Sequence, residues 1–222
     1  MTRLVRLDAR SVSFLPPGVV ESLRSGGVVV YPTDTLYGLG VDPASEKALG
    51  RLLSAKGREG GKPIPLLLDE PARAYSLARH VPGEASRLME KFWPGALTIV
   101  LPASPGLPEA VTGRTGTVGL RVPDHPVART LAKAAGGAIT GTSANRSGNP
   151  GVWRTAEEIV NEFTGDVDWI LWDGPSPASW SERTKSPASP GSTVVLVEED
   201  NVSLLREGVI PFRTITDFLG KG

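Results

Sequence analysis

The 222-residue chain has no cysteine, which excludes a disulfide framework, a thiolate nucleophile and a cysteine-held metal. Its two histidines, His80 and His125, argue against a histidine-built zinc centre or a serine–histidine triad. Excess charge of either sign is also missing. Twenty-four Lys and Arg balance twenty-four Asp and Glu, so no global field draws the chain to nucleic acid or an acidic membrane, and any RNA contact must come from a local basic patch. No apolar run approaches the roughly 18 residues of a membrane-spanning helix. Met1 to Asp8 carries Arg3 and Arg6 with no long apolar run behind them, unlike a signal peptide. A cytoplasmic protein without membrane partners is expected.

What is present is an ordinary globular balance: 40% apolar and 22% charged residues, enough for one α/β domain with a full core. Val28–Tyr31, Ile64–Leu68, Leu97–Leu101, Thr117–Val122, Ala138–Thr140, Trp169–Trp172, Thr193–Val197 and Val202–Leu205 read as strands. Helical spacing marks Val19–Arg24, Ser45–Ala55 with Ser45 as N-cap, Glu70–Ala78, Gly83–Phe92, Pro126–Ala135 and Thr155–Phe163. Several neighbouring strands lack a helical crossover, so a mixed sheet is expected rather than a doubly wound one. Asp173–Pro190 is rich in Gly, Pro, Ser and Ala and long for a connection, and reads as a mobile loop or lid. No repeat and no second domain are visible, and the stretch after Gly208 reads as a short tail.

Two short stretches carry the chemistry. Lys56-Gly57-Arg58, with Lys62 close behind, offers cations suited to phosphate; the alternative is a solvated helix end whose cations complement the dipole. Thr142-Ser143-Ala144-Asn145 follows an apolar strand and offers hydroxyls and an amide; the alternative is ordinary turn chemistry. Arg121, at a strand end, suits a carboxylate clamp or a plain ion pair. Ser143 lies in no Gly-x-Ser-x-Gly elbow, and Gly38-Leu39-Gly40 is only a fragment of a dinucleotide motif, although its glycines would let a ligand approach backbone. The five tryptophans read as packing residues.

Taken in order, Tyr31–Leu39, Lys56–Arg58 with Lys62-Pro63, Phe92–Thr98, Val118–Pro123, Ser143–Asn145 with Ser147-Gly148, Gly191–Val194 and Leu205–Gly208 resemble the L-threonylcarbamoyladenylate synthase family, the YrdC-like domain in its short single-domain form. The resemblance runs from about Ser22 to Ile210. It implies an α/β fold with a twisted mixed sheet flanked by helices and a positively lined concave face, within one domain over 1–222 (core about 15–212). It also implies a nucleotidyltransferase that combines L-threonine, bicarbonate and ATP, with Mg²⁺, into threonylcarbamoyl-AMP and pyrophosphate. Downstream proteins then transfer the group to tRNA. By the same resemblance Thr35, Arg121, Ser143 and Ser192 hold threonine. Lys56, Arg58, Lys62, Thr117, Asn145 and Arg206 hold ATP, and Lys56, Arg58, Ser143 and Asn145 form the catalytic quartet. No resident metal is implied. Leu67 stands where many members of the family carry a histidine. Competing expectations are a module binding double-stranded RNA or tRNA without chemistry, an inactive paralogue, and a carbamoyl-phosphate-using transferase. The Ser143/Asn145 pair disfavours the paralogue, and the short chain disfavours the transferase.

Overall fold

Residues 1–7, 15–57, 61–146, 151–176, 191–199 and 201–220 are described by the computed structural model. In chain order the elements begin with β1 Arg3–Arg6, α1 Pro17–Arg24, β2 Val29–Tyr31, β3 Gly38–Gly40 and α2 Glu46–Lys56. Next come β4 Leu66–Leu68, a 3₁₀ turn Pro71–Arg73, α3 Ala74–Leu77, α4 Gly83–Phe92, β5 Leu97–Pro102, α5 Glu109–Thr112 and β6 Thr117–Arg121. Then follow α6 Pro126–Ala134, β7 Ala138–Thr140, β8 Thr142–Ser143, α7 Ala156–Phe163, β9 Trp169–Trp172, β10 Thr193–Glu198, β11 Asn201–Arg206 and α8 Phe212–Leu219.

The expected mixed sheet is two mixed sheets. One has five strands in the order β1-β9-β2-β3-β8, and the other six in the order β11-β10-β5-β6-β4-β7. In the second, β4 runs parallel to β6 and antiparallel to β7, and β10 parallel to β5, so both directions occur in one sheet. The chain leaves this sheet at Gly141, between β7 and β8, and joins the first. A Cβ there would lie 2.6 Å from the Leu67 side chain, so the crossing requires glycine.

Helix α2 follows its sequence logic. Ser45 Oγ accepts the Ala48 N–H at 3.2 Å, and Ala48, Leu49, Leu52 and Ala55 bury one face. Gly57 closes it in the left-handed conformation (φ 59°), which glycine adopts without a Cβ penalty. Thr155 and Glu158 form a reciprocal capping box on α7. Both sheets are inner layers: Val30, Leu39 and Ile170 from one and Leu66, Ile99 and Leu120 from the other belong to one continuous buried cluster.

Three readings change. Glu70–Ala78 is not one helix, because Ala78 turns extended and bridges Ala103. The stretch after Gly208 is more than a tail. Pro211 leads into α8, whose Ile215 and Leu219 are buried and whose Phe218 meets Phe92 edge-on at 5.7 Å. Gly40 serves packing, since a Cβ there would run into the Tyr31 ring at 2.6 Å, whereas Gly38, as tight against that ring at 2.8 Å, also lines a cavity as expected. The tryptophans pack as expected: Trp93 and Trp153 are buried, Trp172 stacks on Tyr37 at 5.3 Å, and Trp169 lies under Arg3. Trp180 falls outside the described residues, as do positions 177–190 of the expected lid. Among the described residues no helix is long and apolar enough to cross a membrane.

Candidate active site

A cavity of about 550 Å³ opens where the edge of the five-stranded sheet meets the face of the six-stranded one. Strand alternation explains its floor. In β6, Thr117, Gly119 and Arg121 point the same way and line it, while Val118 and Leu120 are buried in the core. Register extends that row: Arg121 pairs with Leu67 on β4, Thr98 with Val194 on β10, and Val194 with Arg206 on β11. The opposite wall comes from Thr33, Thr35–Gly38 and β8, where Gly38 pairs with Ser143.

Arg121 is 4% exposed. Its Nε donates to the Gly95 carbonyl at 2.8 Å, Nη1 to Thr35 Oγ1 at 3.0 Å, and Nη2 to Asp34 Oδ1 at 2.5 Å. Burial pushes its pKa down, and the Asp34 carboxylate pushes back. The Trp93-Pro94-Gly95 stretch follows the end of α4 and presents a carbonyl to the guanidinium. Gly95 itself leaves no room for a side chain, because a Cβ would lie 2.5 Å from the Phe92 carbonyl oxygen.

The hydroxyl directions around Thr35 follow from donor counting. Thr33 Oγ1 donates to the Leu36 carbonyl at 2.6 Å and accepts from the Thr35 N–H at 3.1 Å. Having spent its proton, Thr33 can only accept from Thr35 Oγ1, 3.2 Å away. Thr35 already accepts from Arg121, so its own proton goes to Thr33 or into the cavity. That is a donor available to an anion.

At the other wall Lys56 is 7% exposed. Its Nζ donates to the Ser143 carbonyl at 2.6 Å and reaches Asn145 Oδ1 at 3.4 Å. Ser143 Oγ donates to the same Asn145 oxygen at 2.5 Å. The helix end and the strand end singled out in the sequence, nearly ninety residues apart, are therefore one cluster. Near β10, Ser192 Oγ and Thr98 Oγ1 share a hydrogen bond of 2.8 Å, and Arg206 Nη2 donates to the Ser192 carbonyl at 3.0 Å. Loss of solvent at the cavity rim and the positive charge of Arg121 both lower the Arg206 pKa. Two arginines that repel across a cavity make it receptive to anions.

Of the expected site residues, Thr35, Arg121, Ser143 and Ser192 line the cavity, as do Lys56, Thr117, Asn145 and Arg206. Lys62 is exposed and outside the lining. Arg58 lies outside the described residues. The lining offers cations, hydroxyls and an amide, and among the described residues no Asp or Glu belongs to it. Sequence reasoning missed Thr98, Asp34 and Gly95. It also missed a second cluster behind the wall, where Tyr37 Oη donates to Asp173 Oδ1 at 2.7 Å and His125 Nε2 lies 2.9 Å from Asp173 Oδ2.

Residues 21–208 match the family model Sua5/YciO/YrdC, described as "Telomere recombination". The chain is 35% identical over 199 residues to the threonylcarbamoyl-AMP synthase of Pyrococcus abyssi, covering 90% of this chain and 55% of that protein. It thus spans little more than half the length of that relative. The enzyme of the same name from Halorhodospira halophila is 42% identical over 164 residues, covering 70% of this chain and 85% of the relative. The crystal structure of P. abyssi Sua5 complexed with L-threonine superimposes with a TM-score of 0.84 at 31% identity, covering 100% of this chain and 61% of that one. The chain belongs to the Sua5/YciO/YrdC family.

Proposed function

We propose that the chain is an L-threonylcarbamoyladenylate synthase, using L-threonine, bicarbonate and ATP. The observation that carries this is the convergence of Arg121, Arg206 and Lys56 on one cavity furnished with Ser143, Asn145, Ser192 and Thr35. A carboxylate-bearing amino acid and a polyphosphate are the ligands such a donor set suits.

In this reading Arg121 and Thr35 take the threonine carboxylate, with Ser143 and Ser192 beside it. Lys56, Asn145, Thr117 and Arg206 take the nucleotide, joined by Arg58 and Lys62. The threonine amine adds to bicarbonate and loses water, giving a carbamate. A carbamate oxygen then forms a bond to the α-phosphorus while the bond to the β-phosphate oxygen breaks, and pyrophosphate leaves with that electron pair. No side chain is needed as nucleophile, so a chain without cysteine can be an enzyme through positioning and charge neutralisation. The cavity's donors are cations, hydroxyls and an amide rather than carboxylates, so we write Mg²⁺ as part of the Mg·ATP substrate, held by phosphate oxygens. The product would feed transfer of the threonylcarbamoyl group to tRNA by other cytoplasmic proteins.

Pyrophosphate release by the purified chain with Mg·ATP and bicarbonate, with and without L-threonine, tests the reading. Release that depends on threonine supports it. ATP binding with no release favours an RNA-binding module or an inactive paralogue.

A further inference from the structure

Asp34 is the one carboxylate hydrogen-bonded to Arg121 among the described residues, yet it does not line the cavity. Its side chain is 16% exposed and that of Arg121 5%, so the pair is largely withdrawn from water. Thr35, the next residue along the chain, takes Nη1 from the cavity side. The guanidinium is thus held by a backbone carbonyl, a hydroxyl and a carboxylate. Three of its five N–H groups are spent, and one on each terminal nitrogen remains for a ligand.

We propose that Asp34 is the built-in counter-ion of Arg121 and sets how tightly the cavity holds a carboxylate. The argument rests on the reading given under "Proposed function". A buried guanidinium without a counter-charge is costly, and the cost falls on the empty state, where no ligand carboxylate compensates it. Asp34 removes that cost before substrate arrives. By the same token it reduces the gain when a carboxylate binds, because Arg121 is already half satisfied and Asp34 repels the newcomer. The proposed reaction leaves the threonine carboxylate untouched, so the product presents the same group to the same clamp. A clamp softened by Asp34 accepts substrate and still releases product. Gly95 and Thr35 keep the guanidinium in place, so the effect of Asp34 is on charge rather than on position.

The test is Asp34→Asn, which keeps an oxygen acceptor for Nη2 and removes the charge. Calorimetric titration should show L-threonine binding tightened about three- to tenfold, a charge effect expected at an intermediate effective dielectric. ATP binding should change less than threonine binding, within about twofold, because Asp34 contacts Arg121 rather than Lys56 or Arg206. The unliganded variant should melt lower than the parent, and saturating L-threonine should raise its melting temperature by more than it raises the parent's. Unchanged or weaker threonine binding overturns the proposal, because a merely structural or orienting Asp34 could only lose affinity. The double variant Asp34→Asn/Arg121→Gln removes both charges. Its melting temperature should return toward the parent's while threonine binding is lost. If Asp34→Asn alone fails to fold, folding of the double variant upholds the counter-ion role, and failure of both overturns it. A parent chain that binds no L-threonine would sink the functional reading, and the melting-temperature comparison would still decide the counter-ion.

Discussion

Arg121 and Arg206 line the same cavity but are held in different ways. Arg121 rises from the middle of a six-stranded sheet, is buried, and carries its own carboxylate partner in Asp34. Arg206 ends the edge strand β11, is exposed, and among the described residues donates only to the Ser192 carbonyl and hydroxyl. Its pKa is lowered by partial desolvation and by Arg121, so its charge is the less compensated of the two. A charge-matched, rigid arginine suits one ligand carboxylate in a fixed place. An unmatched arginine at the rim suits a group of higher charge, such as phosphate. Under the proposed function, the difference would place threonine and ATP at two ends of one cavity.

The largest test removes the matched arginine. Arg121→Ala should raise the threonine requirement at least ~100-fold, since a charge-assisted clamp is lost, and should lower stability because Asp34 is left unpaired in a largely buried site. Steady-state kinetics and a melting curve check both. An effect confined to ATP would mean that the two ends have been exchanged. Arg206→Ala should raise the ATP requirement about tenfold, and its unfolding free energy should stay within about 0.5 kcal/mol of the parent's, as for an exposed side chain. A large stability loss there would erase the contrast.

A finer test concerns Asp173, a carboxylate whose partners are a tyrosine and a histidine instead of an arginine. Burial raises its pKa, but the hydrogen bonds from His125 and Tyr37 outweigh this, and the net shift is downward from the ordinary 3.8. A folded-state pKa below the unfolded one gives stability that is present above the unfolded value and lost as pH falls through the folded value. Tyr37→Phe removes one of those hydrogen bonds. It should cost about 1 kcal/mol at neutral pH, less as the pH drops below about 4. Denaturant melts at pH 7 and pH 3 measure this, and an equal cost at both would mean that Asp173 contributes nothing through its charge.

The elements most readable from sequence were those with a period and a cap. Helix α2 ends within a residue of its expected bounds because Ser45, the Ala48–Leu49–Leu52 stripe and Gly57 all agree. Strand β8 has two residues and no period to detect. Helix α8 becomes obvious only through the surfaces that Ile215 and Leu219 cover. For the site, residue types at helix and strand ends pointed to Lys56, Arg121 and Ser143, but no local pattern states which partner meets which. The Asp34–Arg121 pair spans 87 positions, and Tyr37–Asp173 spans 136. The first is a product of how two sheets meet and the second of strand order within the five-stranded sheet, and periodicity encodes neither. Motif order along the chain pointed to the family before any contact was known.

The most direct measurement supplies the purified chain with Mg·ATP, L-threonine and ¹³C-bicarbonate and weighs the nucleotide product. The account predicts an AMP adduct of threonine carrying one labelled carbon, absent when threonine is omitted and nearly absent with Arg121→Ala. An AMP adduct without the label, or none at all from a folded chain that binds ATP and threonine, would contradict it.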